Sequence, residues 1–371
     1  MCPWRGPTGV GRRGWQREIV IDGAPQQTCQ TRTMPAGVVG TDVGDAERDA
    51  ALAAALAVLH ADGVVAVPTE TVYGLAARGL SPKAVAQIFA AKGRPSDNPL
   101  ILHVKDLASA WPLWRFSRPA VDADRATRLA AAFWPGPLTI VALASPLVPE
   151  AVRGGLSKVA VRVPSHPFAL ALSAALGEPF AAPSANASGR PSPTSADDVR
   201  QSLDGRVPLI IDGGHCSRGI ESSVVDVTGA RPRLLRPGAI SVLDLRKVLP
   251  DLDVRAPGAA THLADASPGL RHRHYAPLGG ARLLPAHELV QVWDDADVGV
   301  IARSADVAAL PRRGAGFCAL LPDDVDGYGR ELFAALYQAE RAAPRRLVVV
   351  DVPTSEGWLA VRDRLLRATA E

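Results

Sequence analysis

Residues 64–104 read VVAVPTETVYGLAARGLSPKAVAQIFAAKGRPSDNPLILHV, and the order of patterns in them decides the fold class. Val64 to Pro68 is a short apolar run of the kind a buried strand needs. It breaks into Thr69, Glu70, Thr71 and Tyr73, polar groups crowded at a strand end, where α/β sheets present hydroxyls and backbone NH groups to ligands. Ser81 and Pro82 then open a helix, the serine able to cap it and the proline fitting its first turn. This helix carries Val85, Ile88 and Phe89 on one face and stops at Gly93, and Leu100 to Val104 is a second apolar run. Strand, helix and strand in so short a span point to an α/β domain.

The same alternation extends outward. A helix is predicted from Asp45 to Asp62, with others at Phe168 to Leu176, Ala196 to Leu203 and Val242 to Leu249. Strands are predicted at Leu138 to Leu143, Val159 to Val163, Leu209 to Ile211, Ser223 to Val227 and Arg233 to Leu235. These are more strands than simple βαβ repeats require, so residues 46–240 should form a twisted mixed sheet with helices packed on it. Residues 251–280 change character, with Pro257, Gly258, Pro268, Gly269, Pro277, Gly279 and Gly280 punctuating a stretch without periodicity, and read as an interdomain linker. Over residues 281–371, apolar runs at Ala281 to Leu284, Val298 to Ile301, Gly316 to Leu321 and Leu347 to Val352 are separated by helical patterns, the strongest at Gly329 to Arg341 and the last at Trp358 to Ala368. A smaller Rossmann-like α/β domain is expected there. It has no GxGxxG turn, so a dinucleotide is not supported.

Composition limits the function classes. Hydrophobic residues make up 47% and charged residues 21% of the chain, enough to bury a substantial core. The net charge of +3 is held by the first 33 residues, five arginines against Glu18 and Asp22. From Met34 onward the balance is neutral, without the broad basic footprint of a nucleic-acid binder. Residues 1–33 are rich in Gly, Pro, Arg and Gln and lack a signal peptide's apolar core. A disordered tail over residues 1–45 is expected, or else a translation start at Met34. The longest alanine-rich run, Ala50 to Leu59, falls short of a membrane span. Cys2, Cys29, Cys216 and Cys318 are scattered, with no zinc-ligand spacing, and read as free thiols of a cytoplasmic protein.

Several segments carry polar groups in patterns suited to anions. In KGRPSDNPLILHV (92–104), Lys92 and Arg94 could hold phosphate oxygens, although cations at a helix C-terminus also suit its dipole, and His103 could be purely structural. In KVAVRVP (158–164), Arg162 sits in an apolar strand, where it needs either a structural ion pair or a carboxylate to capture. AAPSANASGRPSP (181–193) offers hydroxyl and NH donors after a strand end. IDGGHCSRGIESSVVDVTGARPRLLRPG (211–238) combines Gly213, Gly214 and Gly219 with Ser222, Ser223 and Arg236. SPGLRHRHYAP (267–277) sets Arg271, His272, Arg273, His274 and Tyr275 within the linker, as a solvated run or as a lid over an anionic ligand. There is no GxSxG elbow, HExxH pair or Walker A loop. The chemistry implied is positioning of anions.

Taken in this order, PTETVYG (68–74) and the five segments that follow it resemble the YrdC family. The linker, with YGRELFAALYQAER (328–341) and EGWLAVRDRLLRA (356–368), resembles its longer two-domain members, so the resemblance spans about residues 46–371. It implies synthesis of L-threonylcarbamoyl-AMP from L-threonine, bicarbonate and ATP, with Mg2+ accompanying the ATP, for a tRNA-modifying threonylcarbamoyl transferase complex, tRNA itself being met at most indirectly. It also implies that L-threonine meets Thr71, His103, Arg162, Ala182 and Ser222. ATP would meet Arg94, Asn98, Lys158, Ser184, Ser192, Arg236 and Tyr275, with Lys92 and Arg94 as the catalytic cations and no protein-held metal. The family often has a small hydroxyl residue where this chain has Lys158. The rival reading is an RNA-binding or ribosome-associated module without turnover, against which the neutral charge balance weighs.

Overall fold

The computed structural model describes residues 29–36, 44–254, 274–312 and 316–370. In chain order the first domain contains β1 (Arg32–Pro35), α1 (Asp45–His60), β2 (Val65–Val67), β3 (Gly74–Arg78), α2 (Pro82–Lys92), β4 (Ile101–His103), α3 (Leu107–Ala110), β5 (Trp114–Arg115), α4 (Pro119–Phe133) and β6 (Leu138–Ala144). It continues with α5 (Glu150–Arg153), β7 (Lys158–Arg162), α6 (Pro167–Leu176), β8 (Phe180–Ala181), α7 (Ala196–Leu203), β9 (Leu209–Asp212), β10 (Ser223–Asp226), β11 (Arg233–Arg236), α8 (Val242–Val248) and β12 (Asp253–Val254). The second domain has β13 (Arg282–Leu284), β14 (Val298–Arg303), α9 (Ser304–Val307), β15 (Cys318–Leu321), α10 (Val325–Ala342), β16 (Arg346–Val350) and α11 (Leu359–Ala368).

Among the described residues the strands of the first domain join in one mixed sheet of order β1-β9-β2-β3-β8-β4-β7-β6-β10-β11-β12, with β5 added beside β6. Helices cover both faces. Along β2, Val65 and Val67 join the core formed with α1 and α6, whereas Val64 and Ala66 join the core formed with α2, α4 and α7. That is the period-two alternation of a strand buried on both sides. The start of α2 is built as its sequence dictates, with the Ser81 hydroxyl accepting from Ala84 N at 3.2 Å and Pro82 in the first turn. The second domain is a parallel sheet of order β13-β16-β14-β15 packed against α10 and α11.

The structure departs from the sequence reading at several elements. Residues 29–36 are not tail: β1 pairs in parallel with β9, and Thr31 Oγ1 donates to Val207 O at 2.8 Å. Four residues, Arg-Thr-Met-Pro, carry no alternation of their own, and their partner lies far away in sequence. β3 has no counterpart among the expected strands; it pairs antiparallel with β2, Val65 opposite Ala76. Its small residues give no strand signal. The helix α4 also went unmarked. Residues 1–28, most of the linker (255–273) and with them Arg271, His272 and Arg273 lie outside the described residues.

Candidate active site

Strand directions bring the polar motifs to one end of the sheet. Thr69 to Val72 follow β2, His103 ends β4 and Arg162 ends β7, the latter two strands being parallel with His103 opposite Arg162. β6 runs antiparallel to β7, so Thr139 near its start faces Arg162's end. β10 is parallel to β6, which places Ser222 there too, and the antiparallel β11 returns with Arg236. A cavity at this end is lined by Thr71, Arg94, His103, Arg162, Ala182, Ser184, Ser222, Arg236 and Tyr275, together with Glu221 and His274.

One side of the cavity is built around Arg162. Its Nη1 donates to Thr71 Oγ1 at 2.9 Å and its Nε to Gly136 O at 3.1 Å, while Nη2 stands 2.6 Å from Glu70 Oε1. Thr69 completes the turn, its hydroxyl donating to Val72 O and standing 2.9 Å from that of Thr71. Burial would raise the pKa of Glu70, but Arg162 outweighs it and holds the carboxyl below its ordinary value. His103 stacks on Phe180 with ring centroids 5.1 Å apart. Burial, then the charge of Arg162, pushes its pKa down to about 3, so the imidazole is neutral. Ser222 Oγ lies 2.8 Å from Thr139 Oγ1 and accepts from Arg236 Nη2 at 3.2 Å. Gly238 is required beside it, because a Cβ there would stand 2.4 Å from the carbonyl oxygen of Glu221.

The other side is cationic. Lys92 Nζ donates to the carbonyl oxygens of Ser184 and Asn186, tying the end of α2 to the SANASGR loop. Burial, and after it the neighbouring Arg94, sets its pKa well below that of an ordinary lysine. Arg94 donates to the side-chain oxygen of Asn98 and to Pro99 O. Glu221 accepts from Ser192 Oγ at 2.6 Å through one oxygen and from Arg364 Nε at 2.8 Å through the other. Burial raises this carboxyl, but Arg364 and Arg236 dominate and hold it down to about 2. Five cations, Lys92, Arg94, Arg162, Arg236 and Arg364, thus gather around Glu70 and Glu221, an arrangement suited to a polyanion.

The end of the linker closes the cavity from above. Tyr275, only 1% exposed, adopts a left-handed backbone with φ +65°. Its ring packs on Phe333 of α10, centroids 5.3 Å apart, and lies under the guanidinium of Arg364 on α11, 5.4 Å from the ring centre. Ala276 N donates to Gly189 O at 2.9 Å, and His274 N to Arg367 O at 3.2 Å. The cover is therefore fastened both to the SANASGR loop and to the second domain.

Of the residues singled out in the sequence, Thr71, Arg94, His103, Arg162, Ala182, Ser184, Ser222, Arg236 and Tyr275 line the cavity. Lys92, Asn98 and Ser192 stand behind it, holding Ser184, Arg94 and Glu221. Lys158 is the exception. It begins β7, four positions from Arg162, and its ammonium pairs with Asp226 at 2.6 Å. The lysine's long stem reaches across β6 to a carboxylate on β10 instead of the cavity. Glu221 and Arg364 were not predicted. Glu221 lay inside a quoted motif, but nothing local marked it, and the role of Arg364 depends on how two domains meet.

Residues 57–238 match the Sua5/YciO/YrdC family model, which carries the description Telomere recombination, and residues 240–370 match the threonylcarbamoyl-AMP synthase C-terminal domain. The threonylcarbamoyl-AMP synthase of Pyrococcus abyssi is 39% identical over 82% of this chain and 90% of its own length. That of Bacillus subtilis is 37% identical over 86% and 93%. The crystal structure of Pyrococcus abyssi Sua5 complexed with L-threonine superposes with a TM-score of 0.80 at 35% identity, covering 91% of this chain and 97% of that one.

Proposed function

The chain belongs to the threonylcarbamoyl-AMP synthase family in its two-domain form, and on that footing we propose how its cavity carries out the synthesis. The enzyme uses ATP to make L-threonylcarbamoyl-AMP for the threonylcarbamoyladenosine modification of tRNA. The amine of L-threonine and bicarbonate give a carbamate with loss of water. A carbamate oxygen then attacks the α-phosphorus of ATP, and pyrophosphate leaves.

The observation that carries the assignment of groups is the division of the cavity. Arg162, with Thr71, His103, Ala182 and Ser222 around it, is suited to take the amino acid, its guanidinium facing the carboxylate of L-threonine. Arg94, Ser184, Arg236 and the Tyr275 cover take the nucleotide, with Lys92, Asn98 and Ser192 fixing them. Charge that builds on the phosphoryl oxygens meets cations already in place, each such donor being worth on the order of 3 kcal/mol. Neutral His103 can accept a hydrogen bond from the threonine ammonium or its hydroxyl without adding positive charge next to Arg162. The product is a mixed anhydride prone to hydrolysis, and burial under Tyr275 keeps water from it.

Among the described residues no three His, Cys, Asp or Glu side chains gather as a metal site. Glu70 and Glu221 are engaged by arginines, and magnesium accompanying ATP would help Arg94 and Arg236 neutralise phosphate charge. Among the described residues no helix is long and apolar enough to cross a membrane. We place the enzyme in the cytoplasm, handing its product to a threonylcarbamoyl transferase complex, with tRNA contacted at most indirectly. The test is pyrophosphate release by the purified chain with ATP, magnesium and bicarbonate. Release should require L-threonine and yield a species of threonylcarbamoyl-AMP mass; release indifferent to threonine would refute the assignment.

A further inference from the structure

The loop that carries Glu221 is seated on the second domain as well as on its own. Ile220 is buried with Tyr328, Phe333 and Leu336 of α10 and Val361 of α11. Gly219 lies so close to α10 that a Cβ there would stand 2.1 Å from Arg330 O. Next in the chain, Glu221 meets Arg364. That arginine, 1% exposed, also donates from Nη1 to Pro237 O at 2.8 Å, directly after Arg236, and its Nη1 stands 3.0 Å from Asp363 Oδ2. Arg367 pairs with the same Asp363 at 3.0 Å, which fixes the carboxylate that orients Arg364. Across the Tyr275 ring the guanidinium makes a cation–π contact.

We propose that Arg364, on the last helix of the second domain, is a positioning residue for the nucleotide end of the active site, setting Glu221 and through it Ser192 while it holds Tyr275 closed. The inference deepens the synthase reading and rests on it. Its physical basis is the fate of a buried carboxyl. Facing Arg364 and Arg236, Glu221 stays ionised and only accepts, so the Ser192 hydroxyl must point its proton at Glu221 and is held in one orientation behind the cavity. Without Arg364, burial favours protonation of Glu221, which then competes as a donor, and the Ser192 hydroxyl and the Pro237 carbonyl lose their fixed partners. The main threonine contacts are held separately: Thr71 and Arg162 by Glu70, Gly136 and each other, while Ser222, next to Glu221, keeps its own bonds to Thr139 and Arg236.

The experiment measures threonine-dependent pyrophosphate release by the full chain and its Arg364→Met, Arg364→Lys and Arg364→Met/Glu221→Gln variants, with KM for ATP and for L-threonine and the thermal midpoint of each. The double variant removes both charges, which spares the fold an unpaired buried carboxylate. Expected is a rise of about tenfold or more in the KM for ATP in both methionine variants, equivalent to about 1.4 kcal/mol of lost positioning. The KM for L-threonine should change by less than about twofold, and lysine should restore part of the loss. A folded double variant with an unchanged KM for ATP overturns the proposal, as does a parallel rise of both KM values that tracks the loss of thermal stability. If the unmodified chain releases no pyrophosphate with threonine, the synthase reading itself falls and takes this inference with it, an outcome separate from either of those.

Discussion

Arg162 Nη2 lies 2.6 Å from Glu70 Oε1 at the base of the cavity, and the two side chains are only 4% and 8% exposed. A buried pair of this kind depends on both members, since removing one leaves an uncompensated charge. Arg162→Ala should therefore raise the KM for L-threonine by about a hundredfold, some 3 kcal/mol, and lower stability as well. Arg162→Ala/Glu70→Gln separates the two effects. It should recover most of the thermal midpoint and none of the threonine affinity, as calorimetric titration with L-threonine would measure. Recovery of affinity in the double variant would mean that Arg162 is structural only.

Buried neutral histidines make stability fall on the acid side. His103 and His274 have their pKa values pushed down to about 3, chiefly by burial, against 6.5 in the unfolded chain. Below pH 6.5 the unfolded chain takes up protons that the folded one refuses, so stability is full above that pH and declines as it drops toward 3. At about pH 5 the loss should approach 2 kcal/mol per histidine, read from urea midpoints. His103→Gln should remove about half of that slope. Because both groups stay neutral through the working range, neither should contribute an inflection near 6.5 to the pH profile of activity.

Much of this architecture was legible in the chain because it rests on local signals. The Ser81–Pro82 start and Gly93 stop of α2, the apolar runs of β2, β4 and β7, and the polar groups at their ends all declare themselves within a few residues. β1 and β3 did not, since Arg-Thr-Met-Pro and Gly-Leu-Ala-Ala-Arg become strands only through pairing with β9 and β2. The same holds within the site. Thr71, His103 and Arg162 sit in recognisable motifs, whereas Glu221 acquires its role from Ser192 and Arg364, which approach it from distant parts of the chain.

Lys158 is where the resemblance and the geometry part. Its ammonium pairs with Asp226, which is further held by Thr228 Oγ1 at 2.7 Å and has Arg233 at 3.4 Å. Lys158→Ala should leave the KM for ATP within about twofold and lower stability by about 1 kcal/mol, the partly exposed lysine and the remaining partners of Asp226 keeping the loss small. A tenfold rise in the KM for ATP would instead show that the lysine turns to the nucleotide when it binds.

Lys92 tests whether the SANASGR loop is held from below. Its Nζ, 2% exposed as a residue, bridges Ser184 O and Asn186 O, and no other side chain of α2 reaches those carbonyls in the described residues. Lys92→Met keeps the stem but leaves two acceptors without their donor, at a cost of about 1 to 3 kcal/mol for each one that stays buried. The loop would turn those carbonyls toward water, carrying Ser184 away from the nucleotide and loosening the bond from Ala276 N to Gly189 O that anchors the cover. The expected result is a fall of about a hundredfold in kcat/KM for ATP, together with faster proteolysis between residues 184 and 190. Lys92→Arg should not rescue it, because a planar fork cannot converge on two carbonyls as a single ammonium does. Were the loss of activity to come with an unchanged loop, as judged by hydrogen exchange over those residues, Lys92 would be acting on the phosphates directly and not through the loop.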